Sequence, residues 1–178
     1  HSLRVSPGSL IYFQIERLSL TFYRMINLKH RFSEIICTIF YIGKIPIAPG
    51  TFGSLAAFLS WYYIKPYLSD PLFLLITGAL FFIGIACSEI IVSLNNKKDP
   101  QYIVIDEWVG MWIGLYLVKH DVAWGLATFF CFRVFDIFKP GPIGEMDKMD
   151  GGIGVMMDDV VAGILTCLLI QSLSNYSI

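Results

Sequence analysis

The chain has 178 residues, enough for one domain with a substantial core. It is 56% hydrophobic and only 15% charged, with a mean hydropathy of +0.65, whereas soluble domains average about 25% charged residues. That excludes an ordinary soluble domain, and a net charge of −1 gives no sign of a nucleic-acid partner. Cys37, Cys87, Cys131 and Cys167 each fall in an apolar run with no CxxC or Cys/His cluster, so they read as buried free thiols and not as a zinc site.

Residues 1–34 form a mixed basic segment carrying Arg4, Arg17, Arg24, Lys29 and Arg31. The first residue is His1, and Met25 is a candidate natural start, residues 1–24 then being non-native or extended translation. Early basic residues are followed by no long apolar run of the kind a cleavable signal peptide needs. Residues 35–42 are apolar but short of the roughly 20 needed to span a bilayer, and read as an interfacial piece opening a domain over 35–178. A constrained turn follows, with Pro46, Pro49, Gly50 and Gly53, and Thr51 is the expected cap of a helix over 52–64.

Further apolar helices are expected over 72–93, 102–118, 122–138 and 155–173. A polar loop, 95–101, separates the first two, and Lys119-His120-Asp121 turns between the next two. Lys139-Pro140-Gly141-Pro142 stops a helix sharply, because proline lacks an N–H and clashes with the preceding turn. The fold class is therefore an all-α, membrane-associated bundle of about five apolar helices behind an N-terminal basic, interfacial segment.

If each of the five crosses, the loops at 43–51, 94–101 and 139–154 share one side with the N-terminal segment. That side carries ten Lys and Arg, including Lys44, Lys97, Lys98, Lys139 and Lys148, against Lys65 and Lys119 on the other. The positive-inside rule then makes the basic side cytoplasmic.

The same arrangement gathers the acids. Asp106 and Glu107 stand in an apolar run, where an ionised carboxylate costs roughly 2.5–3.5 kcal/mol at the centre of a membrane helix and needs a partner. They begin one helix at the cytoplasmic end, Arg133 and Asp136 end another, and Asp158 and Asp159 begin the last. Five carboxylates without Cys or clustered His are hard oxygen donors, which favour Mg²⁺ or Mn²⁺. Lys44, Arg133 and Lys139 suit a phosphate, and the helix start holding Thr51 and Ser54 offers backbone donors to an anion. Asp106 with Gly110 and Gly114, and Asp159 with Gly163, place small residues on the acid-bearing faces, so that these helices can approach closely. Each feature also has a plain structural explanation: ion pairing for Arg133 with Asp136, first-turn acids for Asp158 and Asp159, an ordinary N-cap for Thr51.

Four stretches, APGTFGSLAA (48–57), IVIDEWVGMW (103–112), FRVFDIFKPGPI (132–143) and GGIGVMMDDVVAG (151–163), resemble in order and spacing the phosphatidylglycerophosphatase A family of bacterial membrane lipid phosphatases. The resemblance covers about residues 40–173, and the first 34 residues have no counterpart in it. It implies Mg²⁺-dependent hydrolysis of phosphatidylglycerophosphate to phosphatidylglycerol and phosphate at the cytoplasmic face of a bacterial inner membrane. On that reading Asp106, Glu107, Asp158 and Asp159 hold the metal, and Asp136 positions Arg133 or joins the metal shell. Lys44, Thr51, Ser54, Arg133 and Lys139 bind the phosphate. The implied partners are a phospholipid substrate, the membrane and a possible second copy of the chain.

Two other classes stay open at this point. A small ion or solute transporter would also bury carboxylates, but near the midplane and in broken helices. A lipid-headgroup phosphotransferase of the CDP-alcohol type would carry a DxxDG…AR…GxxxDxxxD pattern, which is absent.

Overall fold

A computed structural model describes residues 7–95 and 100–176, and every described regular element is helical. Arg4, Lys97, Lys98 and Asp99 lie outside the described residues. Helix α1 (Pro7–Cys37) runs through both the expected basic segment and the start of the expected interfacial piece. From Glu16 to Phe32 it is almost wholly exposed, and near its C-terminal end it packs on α3, where Ser33 and Cys37 are buried. Ile39, Phe40 and Tyr41 take positive φ, and a 3-10 turn at Ile42–Lys44 leads into the next helix.

Helix α2 (Pro49–Ile64) starts three residues before the expected 52. Its N-cap is Ala48, in the left-handed region and with no side-chain cap bond, and Pro49 is the first helical residue. Thr51 is thus not the cap but a first-turn residue, because proline already supplies the fixed φ of the first turn and needs no donor there. Helix α3 (Asp70–Asn95) and helix α7 (Gly151–Tyr176) are the longest beside α1. Among the described residues they contain the two stretches long and apolar enough to cross a membrane, Asp70–Leu94 and Gly151–Asn175.

Of the five expected apolar helices, α3 and α7 have the length and hydropathy of a span among the described residues. Helix α4 (Ile105–Gly114) has ten residues and not the expected run from 102 to 118. At about 1.5 Å per residue it is half the thickness of a hydrocarbon core of about 30 Å. The residues before it are held out of the helix: Ile103 N donates to Pro100 O, and Val104 N donates to Cys37 O at 2.8 Å. Helix α5 (Val122–Phe138) keeps its expected bounds, capped by Asp121, which accepts from Ala123 N at 2.9 Å and Trp124 N at 3.3 Å. Lys139 ends it in the left-handed conformation. A short helix α6 (Pro142–Met146) occupies the loop that follows.

Helix α4 is the centre, packed on α7, α2, α3 and α5. Its Met111 and Trp112 join Phe58, Trp61, Phe73 and Phe132 in one apolar cluster. Its Ile105 and Val109 join Cys37, Ile91 and Met156 in another. A short helix apolar on nearly every side is stable only when enclosed in this way. The cysteines are free, with Cys131 half-buried and the other three buried.

Candidate active site

Helices α4 and α7 touch backbone to backbone. A Cβ built on Gly163 would lie 2.3 Å from the carbonyl oxygen of Gly110, and one on Gly110 would lie 2.5 Å from that of Asp159. Farther along, Gly114 faces Thr166, so the two helices run in the same direction. Asp106 and Asp159 each stand one turn before these glycines and are brought together with Glu107. Oxygens of Asp106, Glu107 and Asp159 lie within 4.8 Å of one another, a spacing that can hold one metal ion.

These acids are poorly served by the protein itself. Asp106 and Asp159 are buried at 7% and 3% exposure. Glu107 Oε2 and Asp159 Oδ1 are buried without a hydrogen-bond partner. Asp106 Oδ1 accepts from Glu107 N at 3.0 Å. Burial pushes the Glu107 carboxyl up to about 7, and the nearby Asp136 charge adds to the rise, against the hydrogen bond from Asp106 and the charge of Arg133. Buried charge of one sign is costly unless a cation shares it. The donor set, all oxygen with unpartnered atoms, fits Mg²⁺.

Across an open cleft of about 460 Å³ stand the cations. Asp106, Glu107, Arg133, Asp136 and Lys139 line it, with Gln101, Ile137 and the loop at Pro46, Ala48 and Pro49. Arg133 NH1 pairs with Asp136 Oδ2 at 2.5 Å, donates to Ser54 Oγ at 3.2 Å and lies 3.9 Å from Glu107 Oε1, while its Nε is buried and unpartnered. Gly50 makes room for this contact, since a Cβ there would lie 2.0 Å from Glu107 Oε1. Lys139 Nζ reaches Asp158 Oδ2 at 2.7 Å and also pairs with Asp147. Burial pulls that ammonium down, but the hydrogen bonds to Asp147 and Asp158 outweigh it and hold the group above its ordinary value.

Several expected placements change. Asp158 turns to Lys139 and is not in the three-acid cluster, although its Oδ1 stays buried and unpartnered. It and Asp159 do not begin α7, which starts at Gly151, so both lie beyond the first turn and out of reach of the helix-end dipole. Ser54 is fully buried, donates to Gly50 O at 2.8 Å and positions Arg133 without lining the cleft. Thr51 does not line it either. Lys44 is turned away: it pairs with Glu34 at 2.5 Å and sits 4.6 Å over the Tyr102 ring.

Sequence reasoning missed two residues. Glu89 of α3 accepts from Gly152 N at 2.6 Å and so caps the start of α7 from another helix. Asp147 braces Lys139 from the loop after α6. Neither lies in a pattern readable along the chain, because each acts across a tertiary contact.

A model of the phosphatidylglycerophosphatase A family matches residues 35–174. The chain is 37% identical to phosphatidylglycerophosphatase A of Escherichia coli, over 80% of this chain and 84% of that one. It is 35% identical to the protein of that name in Haemophilus influenzae, over 80% and 89%. A Bacteroides thetaiotaomicron protein provisionally named a phosphatidylinositol-3-phosphatase is 40% identical, over 76% and 89%. No solved structure matches the chain. With its family match and these two namesakes covering most of its length, the chain belongs to the phosphatidylglycerophosphatase A family.

Proposed function

We propose that the protein is a Mg²⁺-dependent lipid phosphatase that hydrolyses the terminal phosphate monoester of phosphatidylglycerophosphate, giving phosphatidylglycerol and inorganic phosphate. The observation that carries this reading is a cluster of three close carboxylates, two of which line one cleft together with two anchored cations. Family membership supplies the reaction type.

Asp106, Glu107 and Asp159 would hold Mg²⁺, which when bound neutralises phosphate charge and makes water a better nucleophile. The remaining work falls to the chain itself. Arg133 lines the cleft with a guanidinium already aimed by Asp136 and Ser54, so a phosphate oxygen is met with little reorganisation. Lys139 adds a point charge on the same rim. Asp158 holds that ammonium in place through its 2.7 Å ion pair. The new P–O bond forms from water as the ester P–O bond breaks, and the proton the water gives up leaves with the glycerol oxygen.

The two long apolar helices support membrane association, with the site at the bacterial cytoplasmic face by the charge count. One observation favours a second headgroup: the relative of 40% identity named for phosphatidylinositol 3-phosphate. Both lipids present a phosphate monoester on a polyol. Phosphate release from each, side by side with and without EDTA, tests the reading. Release from phosphatidylglycerophosphate that EDTA abolishes and Mg²⁺ restores is expected. No release would sink the phosphatase assignment, and EDTA-resistant release would sink the metal.

A further inference from the structure

Helix α5 carries Leu126, Phe130, Arg133 and Ile137 at spacings of four, three and four, which puts them on one edge of the helix. The three apolar members are 38%, 64% and 65% exposed, while Arg133 turns into the cleft. Ile137 belongs to both surfaces, since it lines the cleft beside Arg133 and continues the exposed stripe.

The neighbouring helix α2 closes on α5 only away from the cleft. There Gly125 packs so tightly that a Cβ would lie 2.4 Å from the Phe58 ring and 3.1 Å from that of Trp61. At the cleft end the gap is bridged by a long side chain, Arg133 reaching Ser54 at 3.2 Å. The interface therefore narrows from the cleft towards Gly125, and its outer edge on α5 is apolar.

We propose that the lipid substrate enters sideways between α2 and α5, its acyl chains lying on the Leu126–Phe130–Ile137 stripe while its phosphate meets Arg133. This rests on the phosphatase reading and adds the route and the subsite for the chains. The occupant follows from continuity: an amphiphile with its anion at Arg133 finds apolar surface running directly from Ile137. A lipid reaching the cleft from water would gain nothing from that surface.

Full-length protein in mixed micelles can be assayed with diacyl phosphatidylglycerophosphate and with its deacylated, water-soluble headgroup. Phe130→Ser, on the stripe but outside the cleft lining, should raise KM for the diacyl lipid about five- to tenfold with kcat kept, and leave kcat/KM for the soluble headgroup unchanged. Leu126→Ser, at a less exposed position, should do the same more weakly. Phe82→Ser, on α3, removes a side chain of similar exposure (69%) that does not line the cleft, and should change neither. Wild-type KM for the diacyl lipid in Phe130→Ser, an equal loss on both substrates, or the same loss in Phe82→Ser would each overturn the route. If wild-type protein releases phosphate from neither substrate, the phosphatase reading itself is what fails.

Discussion

The two ends of the α2–α4–α5 assembly are built on opposite terms. At the end away from the cleft, polar groups are drawn into the packing, with Trp61 Nε1 the buried exception. Trp112 Nε1 donates to Ala57 O at 3.1 Å and Ser60 Oγ at 3.0 Å, the Phe73 and Trp112 rings lie 4.8 Å apart, and His120 stacks on Tyr62. At the cleft end, acids are brought together, and Glu107 Oε2 and Asp159 Oδ1 are buried with no hydrogen-bond partner among the described residues. One end stabilises the fold. The other carries an electrostatic cost, the usual relation between a rigid scaffold and a preorganised site.

The largest break in this contrast should come from the acids. Asp159→Asn or Asp106→Asn should lower kcat/KM by about a thousandfold, since a lost metal is worth several kcal/mol in the transition state. The same variants should unfold at a higher temperature than wild type without Mg²⁺ at pH 8, because they remove one acid from a crowded, buried cluster. Wild-type turnover in either variant would exclude the three-acid metal site. Next in size is the glycine contact that registers α4 on α7. Gly163→Ala should cost about 1–3 kcal/mol in unfolding free energy, as overpacking does, and depress activity through displacement of Asp159. A variant that melts like wild type with full activity would show that the two backbones are not in contact.

Smaller effects separate the ends more finely. Arg133→Lys keeps the charge but not the fork, so KM should rise about tenfold. A steady-state KM equal to wild type would take Arg133 out of phosphate binding. Trp112→Phe should cost about 1 kcal/mol of stability by removing the N–H shared between Ala57 O and Ser60 Oγ, with KM unchanged. A shift in KM there would mean that the closed end and the cleft are coupled.

The gentlest test is pH. Because Glu107 stays protonated up to about 7 in the folded protein, above its ordinary 4.5, the folded state binds more protons than the unfolded one between those values. Metal-free stability should therefore fall as pH rises through that window, and level off above it. Mg²⁺ needs the ionised form, so its stabilising shift in melting temperature should grow from pH 6 to pH 8. A shift independent of pH would remove Glu107 from the ligand set.

Much of the site was readable because its members sit in short local patterns. Asp106 and Glu107 stand out in an apolar run, Asp158 and Asp159 likewise, and Arg133, Asp136 and Lys139 mark the end of one helix. The bounds of α5 followed from Asp121 at one end and Lys139-Pro140 at the other. Lys44 and Thr51 were placed by their nearness in sequence to a glycine-rich turn, and that nearness does not determine where a side chain points. Glu34 claims Lys44, and Pro49 makes a cap at Thr51 unnecessary.

Composition and periodicity by themselves determined an all-helical, apolar chain with acids and cations recurring at helix ends, because burial cost and helix geometry act locally along the chain. Which acids share an ion was decided only in three dimensions. Gly110 against Gly163 sets the register of α4 on α7 and selects Asp159, while Lys139, in a left-handed turn that no helical pattern forecasts, draws Asp158 aside. The length of α4 was decided there too. Cys37 O takes the Val104 N–H across a contact between residues far apart in sequence, and the apolar run before Ile105 that reads as helix is held outside it.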